Sequence, residues 1–205
     1  SYPAKDGTSI PGYLTVPVGL RAEKLPLIVM PHGGPIARDS WKYFFLREFL
    51  ADRGYAVLQM NFRGSAGYGD KWFYDAHQDW GGLTYSDIED GARWAIKSGI
   101  ADPQRMCIVG WSFGGYAALL GAARNSDLYK CSVAIAGVSD LLLLLDQGSH
   151  FTSSAIQREQ IGTDFKKLKE DSPRRHADAV RMPVLMVHGD RDANVDSEQS
   201  EAMAK

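Results

Sequence analysis

The stretch that most constrains this chain is Gly110-Trp111-Ser112-Phe113-Gly114-Gly115-Tyr116. An apolar run, Arg105-Met-Cys-Ile-Val109, leads into it and reads as a buried strand. The run Tyr116-Ala-Ala-Leu-Leu-Gly-Ala-Ala123 leads out of it and reads as a helix packed through small side chains. Gly-x-Ser-x-Gly alone is short enough to arise by chance, but a strand directly before it and a small-residue helix directly after it are what a nucleophile elbow requires. Glycines at 110 and 114 suit a turn too sharp for side chains, with the Ser112 backbone strained and its hydroxyl held out at the carboxyl edge of a sheet. The competing reading, an ordinary strand-to-helix turn with a capping serine, is disfavoured by that flanking context.

The rest of the chain supplies the sheet. Residues 8–16 alternate weakly between apolar and polar and predict a short edge hairpin. Nearly continuous apolar runs at 25–30, 55–60, 105–109, 130–135 and 182–187 predict buried strands. Between them, 41–53 carries Phe44, Phe45, Phe49 and Leu50 at helical spacing, and 84–98 carries Ile88, Ala92, Ala95 and Ile96 on one face. Residues 72–82 show no clear period and read as an irregular surface segment. Strands alternating with helices predict one α/β domain over 1–205, a mostly parallel sheet covered on both faces. In such sheets the functional loops gather at the carboxyl ends of the strands, so His32, Arg63, Ser112 and Val138 should share one rim. Residues 140–180 loosen into helical pieces, a lid or pocket wall over that rim, before the last strand delivers His188-Gly-Asp-Arg-Asp192.

Composition narrows the partners. Lys and Arg number 23 against 25 Asp and Glu, and Lys166-Lys167-Leu168-Lys169 is the one short basic run; neither nucleic acid nor an anionic membrane is expected as a partner. Cys107 and Cys131 each sit inside an apolar run, which predicts two small buried hydrophobes and no disulfide. No Cys/His metal spacing is visible, and no metal or cofactor is expected. No apolar stretch is long enough to span a bilayer, and Ser1-Tyr-Pro-Ala-Lys-Asp-Gly has neither the charged start nor the apolar middle of a signal peptide. Reduced cysteines and that amino terminus favour a cytoplasmic over a secreted setting, and the missing initiator Met fits a chain cut from a longer one.

A serine becomes a useful nucleophile when a histidine takes its proton and a carboxylate orients the histidine. The carboxylates available past the last strand are Asp190, Asp192 and Asp196. Together, Gly-Trp-Ser-Phe-Gly-Gly-Tyr (110–116), His-Gly-Gly-Pro (32–35), Asn-Phe-Arg-Gly-Ser-Ala-Gly-Tyr-Gly (61–69), Asp79-Trp-Gly-Gly82 and His-Gly-Asp-Arg-Asp-Ala-Asn-Val (188–195) make the chain resemble the prolyl oligopeptidase family of serine peptidases, across nearly its whole length and in the family's order. The resemblance implies an α/β-hydrolase fold and a peptide or acyl-peptide substrate. It places the acid on Asp192, with Asp190 as a turn-capping residue, and the oxyanion donors on the backbone N–H groups of Phe113 and Gly34. It also implies an apolar specificity pocket walled by Phe113, Val138, Leu141, Leu144, Asn194 and Val195, although lid-helix core accounts for the leucines nearly as well. Arg63 suits a substrate carbonyl or carboxylate, and equally a bracing role in its own loop.

The base is the departure from the pattern. His32 precedes the nucleophile and has a loop-structuring role in its motif; His188 reads as a turn or core residue, His176 as packing, and His77 and His150 lie in irregular stretches. In this fold the histidine follows the acid, after a helix and one more strand, roughly 25–35 residues on. Thirteen residues follow Asp192. The sequence therefore predicts a chain lacking the catalytic histidine with the last strand and helix, inactive alone, with an open sheet edge that promotes self-association. Two other readings stay open at this point: a carboxylesterase on the same fold, and a non-catalytic interaction module.

Overall fold

The computed structural model describes residues 1–148 and 154–205, so His150 lies outside the described residues. Short strands β1 (Tyr2–Pro3) and β2 (Ser9–Ile10) pair with each other, antiparallel. Then come β3 (Gly12–Thr15), β4 (Leu25–Val29), α1 (Phe45–Asp52) and β5 (Ala56–Met60). The middle of the chain forms α2 (Asp70–Tyr74), a π-helical turn Trp80–Thr84, α3 (Tyr85–Lys97), β6 (Ala101–Trp111), α4 (Phe113–Arg124) and β7 (Cys131–Ile135). A helical excursion of α5 (Leu141–Gly148), α6 (Ser154–Ile161), α7 (Phe165–Glu170) and a 3-10 segment Pro173–Ala179 leads to β8 (Val184–Val187) and α8 (Glu198–Ala204). No helix among the described residues is long and apolar enough to cross a membrane.

Six strands form one sheet in the order β3-β5-β4-β6-β7-β8, with β3 antiparallel to β5 and every other pair parallel. The period-two alternation of strand side chains splits the core in two. Leu27, Val29, Leu58, Met106 and Ile108 face the main core under α3 and α4, while Ile28, Met30, Val57 and Val109 form a smaller cluster under Leu46 and Leu50 of α1. Helix α4 is buried from Phe113 through Ala123, and its small side chains let it close on the sheet: a Cβ at Gly115 would strike the Gly137 backbone.

The order also places the site. From β4 the chain crosses to β5 on one side, and from β6 to β7 on the other, so the loops leaving neighbouring strands β4 and β6 diverge. A crevice opens at such a switch point, at the carboxyl ends of the strands. The His32 loop leaves one of these strands and Ser112 leaves the other.

Local structure departs from the sequence expectations at several points. The expected hairpin over 8–16 is divided: β2 pairs with β1, and β3 joins the edge of the main sheet. Residues 72–82, expected to be irregular, contain the end of α2 and the start of the π-helical turn, whose Leu83 N–H is capped by Asp79 Oδ2 at 2.6 Å. Helix α1 begins at Phe45, and Leu46 and Leu50 face the sheet while Phe44, Phe45 and Phe49 stay exposed. The cysteines are the clearest correction: the β6–β7 register sets Cys107 beside Cys131 with Cα atoms 4.7 Å apart, and a disulfide joins them. Each cysteine's own neighbours resemble core, but which strands pair, and in what register, is a tertiary property. The premise of reduced thiols behind a cytoplasmic setting falls with that expectation.

Candidate active site

Ser112 sits between β6 and α4 at φ 56° and ψ −117°, a left-handed conformation costly for a residue with a side chain. Its N–H donates to the Ile135 carbonyl of β7 at 2.9 Å, and its own carbonyl accepts from Tyr116 N–H at 2.9 Å. The turn is thereby tied to both flanking elements. A side chain at Gly110 would run into the Gly114 carbonyl, and one at Gly114 into the carbonyl of Pro31, so the two glycines let the strand, the helix and the His32 loop meet. Among the described residues the Ser112 hydroxyl has no hydrogen-bond partner, and neither the Phe113 nor the Gly34 N–H donates to another group. The start of α4 leaves its first amides free for an anion, as helix N-termini do.

The His32 loop lies against the elbow: a Cβ on Gly33 would stand 3.5 Å from the Ser112 Cβ. His32 Nδ1 is 2.8 Å from the Gly33 carbonyl and Nε2 is 2.9 Å from Ser65 Oγ. A carbonyl only accepts, so Nδ1 carries the proton and Nε2 accepts from the Ser65 hydroxyl. Burial pushes the imidazole down to about 4, leaving it neutral near pH 7. Its ring stacks on Phe62 at 4.3 Å. The Gly33 carbonyl and the Gly34 N–H belong to one planar trans peptide unit, so a bond that fixes the first also fixes the direction of the second. With both nitrogens engaged, His32 is a loop-holding residue.

Asp192 follows β8, two strands from the elbow, or roughly 10 Å by ordinary strand spacing. Its Oδ1 accepts from Val195 N–H at 3.0 Å and Asn194 N–H at 2.9 Å, and these backbone donors hold the carboxyl below its usual range. Its Oδ2 has no partner among the described residues. The turn-capping expected of Asp190 is thus performed by Asp192 itself. His188, on the same segment, shares Nδ1 with Ser200 Oγ at 2.6 Å and Nε2 with the Val195 carbonyl at 2.8 Å. His176 Nε2 contacts the Glu170 carbonyl, and His77 sits among Phe73 and Tyr74. No described histidine hydrogen-bonds to Ser112 or Asp192. The two residues line different spaces: Ser112 a cavity of about 280 Å³, Asp192 a cleft of about 790 Å³ shared with Leu144 and Asn194.

The other expected site residues divide. Phe113, 1% exposed, packs with Phe62, Trp80 and Tyr116, and Val138, Leu141 and Val195 are buried with it in the main core. Leu144 and Asn194 reach the larger cleft. Arg63 is a correction as a substrate ligand. It is 6% exposed, with Nε and Nη2 on the Asp87 carboxylate (3.0 and 2.6 Å) and Nη1 on Asp6 (2.5 Å), so the bracing role takes its guanidinium.

Sequence reasoning missed three features. Gln199 of α8 is fully buried and bonds the Ser139 and Asp140 backbone N–H groups, docking α8 on the loop after β7. Lys167 pairs with both Asp79 and Asp171, and Arg124 pairs with Asp171, tying the π-helical turn to α7 and the end of α4. Asp39 lines the cavity beside Ser112, and its Oδ2 is buried with no partner among the described residues. A carboxylate four residues past Pro35 was the available signal, but its burial was not legible.

A strained serine at the switch point of a mostly parallel sheet, with unengaged amides in its own turn and in the His32 loop, defines an α/β-hydrolase of the serine-nucleophile type. Residues 41–205 match the prolyl oligopeptidase family, and the chain belongs to this family of serine peptidases. It is 36% identical to dipeptidyl aminopeptidase BIII of Pseudoxanthomonas mexicana, over 98% of this chain and 31% of that protein. Among solved structures it is similar to a puromycin-hydrolyzing peptidase of Mycobacterium tuberculosis (TM-score 0.90, 31% identity, 98% of this chain and 32% of that one). It is also similar to the Pyrococcus horikoshii acylaminoacyl peptidase (TM-score 0.85, 26% identity, 95% and 32%). The chain thus spans about a third of the length of these relatives.

Proposed function

We propose that this chain carries the nucleophile and the acid of a serine peptidase that hydrolyses short peptides or acyl-peptides by acyl transfer. The observation that carries the reading is Ser112 itself, held at positive φ with an unengaged hydroxyl, in a turn where the N–H groups of Phe113 and Gly34 are also without partners among the described residues. In this mechanism Ser112 Oγ attacks the scissile carbonyl while an imidazole takes its proton. The resulting oxyanion is met by the Phe113 and Gly34 N–H groups, which act before any reorganisation is needed. Collapse expels the leaving amine, protonated by the same imidazole, and water then releases the acyl group from Ser112 by the reverse sequence. Asp192, kept ionised by its two backbone donors, has Oδ2 free to hold that imidazole. The histidine belongs to none of the described residues, and the 205-residue chain alone is expected to be inactive. Of the residues expected on the acyl side, Leu144 and Asn194 line the cleft that Asp192 also lines, whereas Phe113, Val138, Leu141 and Val195 are buried in the main core.

The test uses the full-length protein with aminoacyl and acyl-aminoacyl p-nitroanilides. Hydrolysis abolished by Ser112→Ala and by Asp192→Asn supports the reading. Cleavage of p-nitrophenyl esters with no p-nitroanilide turned over would replace it with a carboxylesterase.

A further inference from the structure

The loop after β5, residues 61–69, is fastened at several points to the loop that carries Gly34. Ser65 Oγ meets His32 Nε2 at 2.9 Å, Ala66 N–H donates to the Ala37 carbonyl at 3.1 Å, and Asn61 Oδ1 accepts from Asp39 N–H at 2.7 Å. The 61–69 loop is itself tied down. The Arg63 N–H and guanidinium both bond the Asp87 carboxylate, which is fully buried in α3, and Trp72 Nε1 donates to the Phe62 carbonyl at 3.0 Å. Ser65, Phe62 and Asp87 are shut off from solvent by the described residues themselves, so their contacts do not wait on further chain packing against the molecule.

Ser65 is the fastening that bears on chemistry. In a neutral imidazole one nitrogen donates and the other accepts. Because His32 Nδ1 donates to the Gly33 carbonyl, the Ser65 hydroxyl is the donor to Nε2, and that hydroxyl has no other partner among the described residues. The ring is thus held through both nitrogens, with Phe62 stacked on its face at 4.3 Å. Without the Ser65 hydroxyl, Nε2 would be an acceptor with no donor, and the ring would keep one hydrogen bond and gain freedom to turn about it. The loss would be felt at the Gly34 N–H, whose direction follows the Gly33 carbonyl through their shared peptide plane. A ground-state carbonyl asks little of that N–H, whereas the oxyanion needs it aimed, so misdirection lowers kcat more than it raises KM.

We propose that Ser65 is a positioning residue for hydrolysis at Ser112: acting through His32 rather than on substrate, it aims the Gly34 N–H at the oxyanion. The proposal rests on the reading above of Ser112 as nucleophile and Gly34 as oxyanion donor. The full-length protein is assayed on p-nitroanilides, or on p-nitrophenyl esters if only esters are turned over. Ser65→Ala is expected to lower kcat about tenfold, the worth of one hydrogen bond, with KM little changed. Ser65→Thr, which keeps the hydroxyl, restores most of the rate; Ser65→Cys, a weak donor of similar size, falls between and stands in for the alanine variant if that protein does not fold. A double-mutant cycle decides the route: in a His32→Ala background Ser65→Ala should cost nothing further, because its path to Gly34 is already cut. Wild-type kcat in Ser65→Ala overturns the proposal, as does a loss confined to KM. So does a loss that persists undiminished in the His32→Ala background, since a general loosening of the loop would not need His32. Ser112→Ala separates the two failures: turnover surviving that change sinks the nucleophile reading, whereas a Ser112-dependent enzyme indifferent to Ser65 sinks only the positioning role.

Discussion

Single residues in this site work through what they hold. His32 contacts no reacting atom, yet its Nδ1–H fixes the peptide unit that presents Gly34 N–H. Removing one oxyanion donor costs roughly 100- to 1,000-fold in turnover, so His32→Ala in the full-length protein should lower kcat by about that factor with KM little changed. His32→Asn, whose amide nitrogen stands near the position of Nδ1, should recover part of the loss and His32→Gln should not. Steady-state kinetics across the three variants decides this. Asp39 gives a stability prediction of definite sign. Burial raises its carboxyl to about 6, above the ordinary carboxylate value, so the folded state binds the proton more tightly than the unfolded chain. Stability is then lost as pH rises from about 4 to about 6 and stays lost above. Asp39→Asn should therefore stabilise the protein at pH 7, by up to about 3 kcal/mol, and change little below pH 4, as urea melts at the two pH values would register.

At the scale of elements, some packing is dictated by local sequence and some is not. The elbow, β4, β5, α3 and α4 form where hydrophobic period and glycine placement put them, because each element's buried face is written in its own residues. Helix α1 shows the limit of that reasoning. Its aromatic residues outrank Leu46 and Leu50 in size, but the sheet offers α1 one narrow strip over Ile28, Met30 and Val57, and the leucines occupy it. Helix α8 is attached in part by a polar side chain: Gln199 Oε1 accepts from the Ser139 and Asp140 N–H groups, and its Nε2 donates to the Asp140 carbonyl. Gln199→Leu would leave these buried backbone groups unpaired, at a cost of about 2–3 kcal/mol. The midpoint of chemical unfolding should fall accordingly, and hydrogen exchange in the loop bearing Asp192 should accelerate.

At the scale of the molecule, the sheet face that α1 covers over β4 and β5 continues past it. Trp111 is 59% exposed, Leu185 57% and Val187 46%, and β7–β8 register sets the last two beside Val133 and Ile135. The 205-residue chain should therefore self-associate at high concentration, and Leu185→Lys with Val187→Lys should shift its sedimentation toward monomer. The same face carries the Cys107–Cys131 disulfide, with 24 residues of sequence separation; replacing both cysteines by Ala should cost about 3 kcal/mol of stability on chain entropy. What the sequence determined by itself is the elbow, the strand-and-helix alternation and the motif order, since strained turns and buried faces are encoded within a few neighbouring residues. Only the tertiary structure decided that Cys107 meets Cys131, that Arg63 is consumed by Asp87 and Asp6, and that Asp39 keeps a bare oxygen beside Ser112. Those outcomes depend on which distant segments the sheet order brings together and how much water it shuts out, and no local pattern records either.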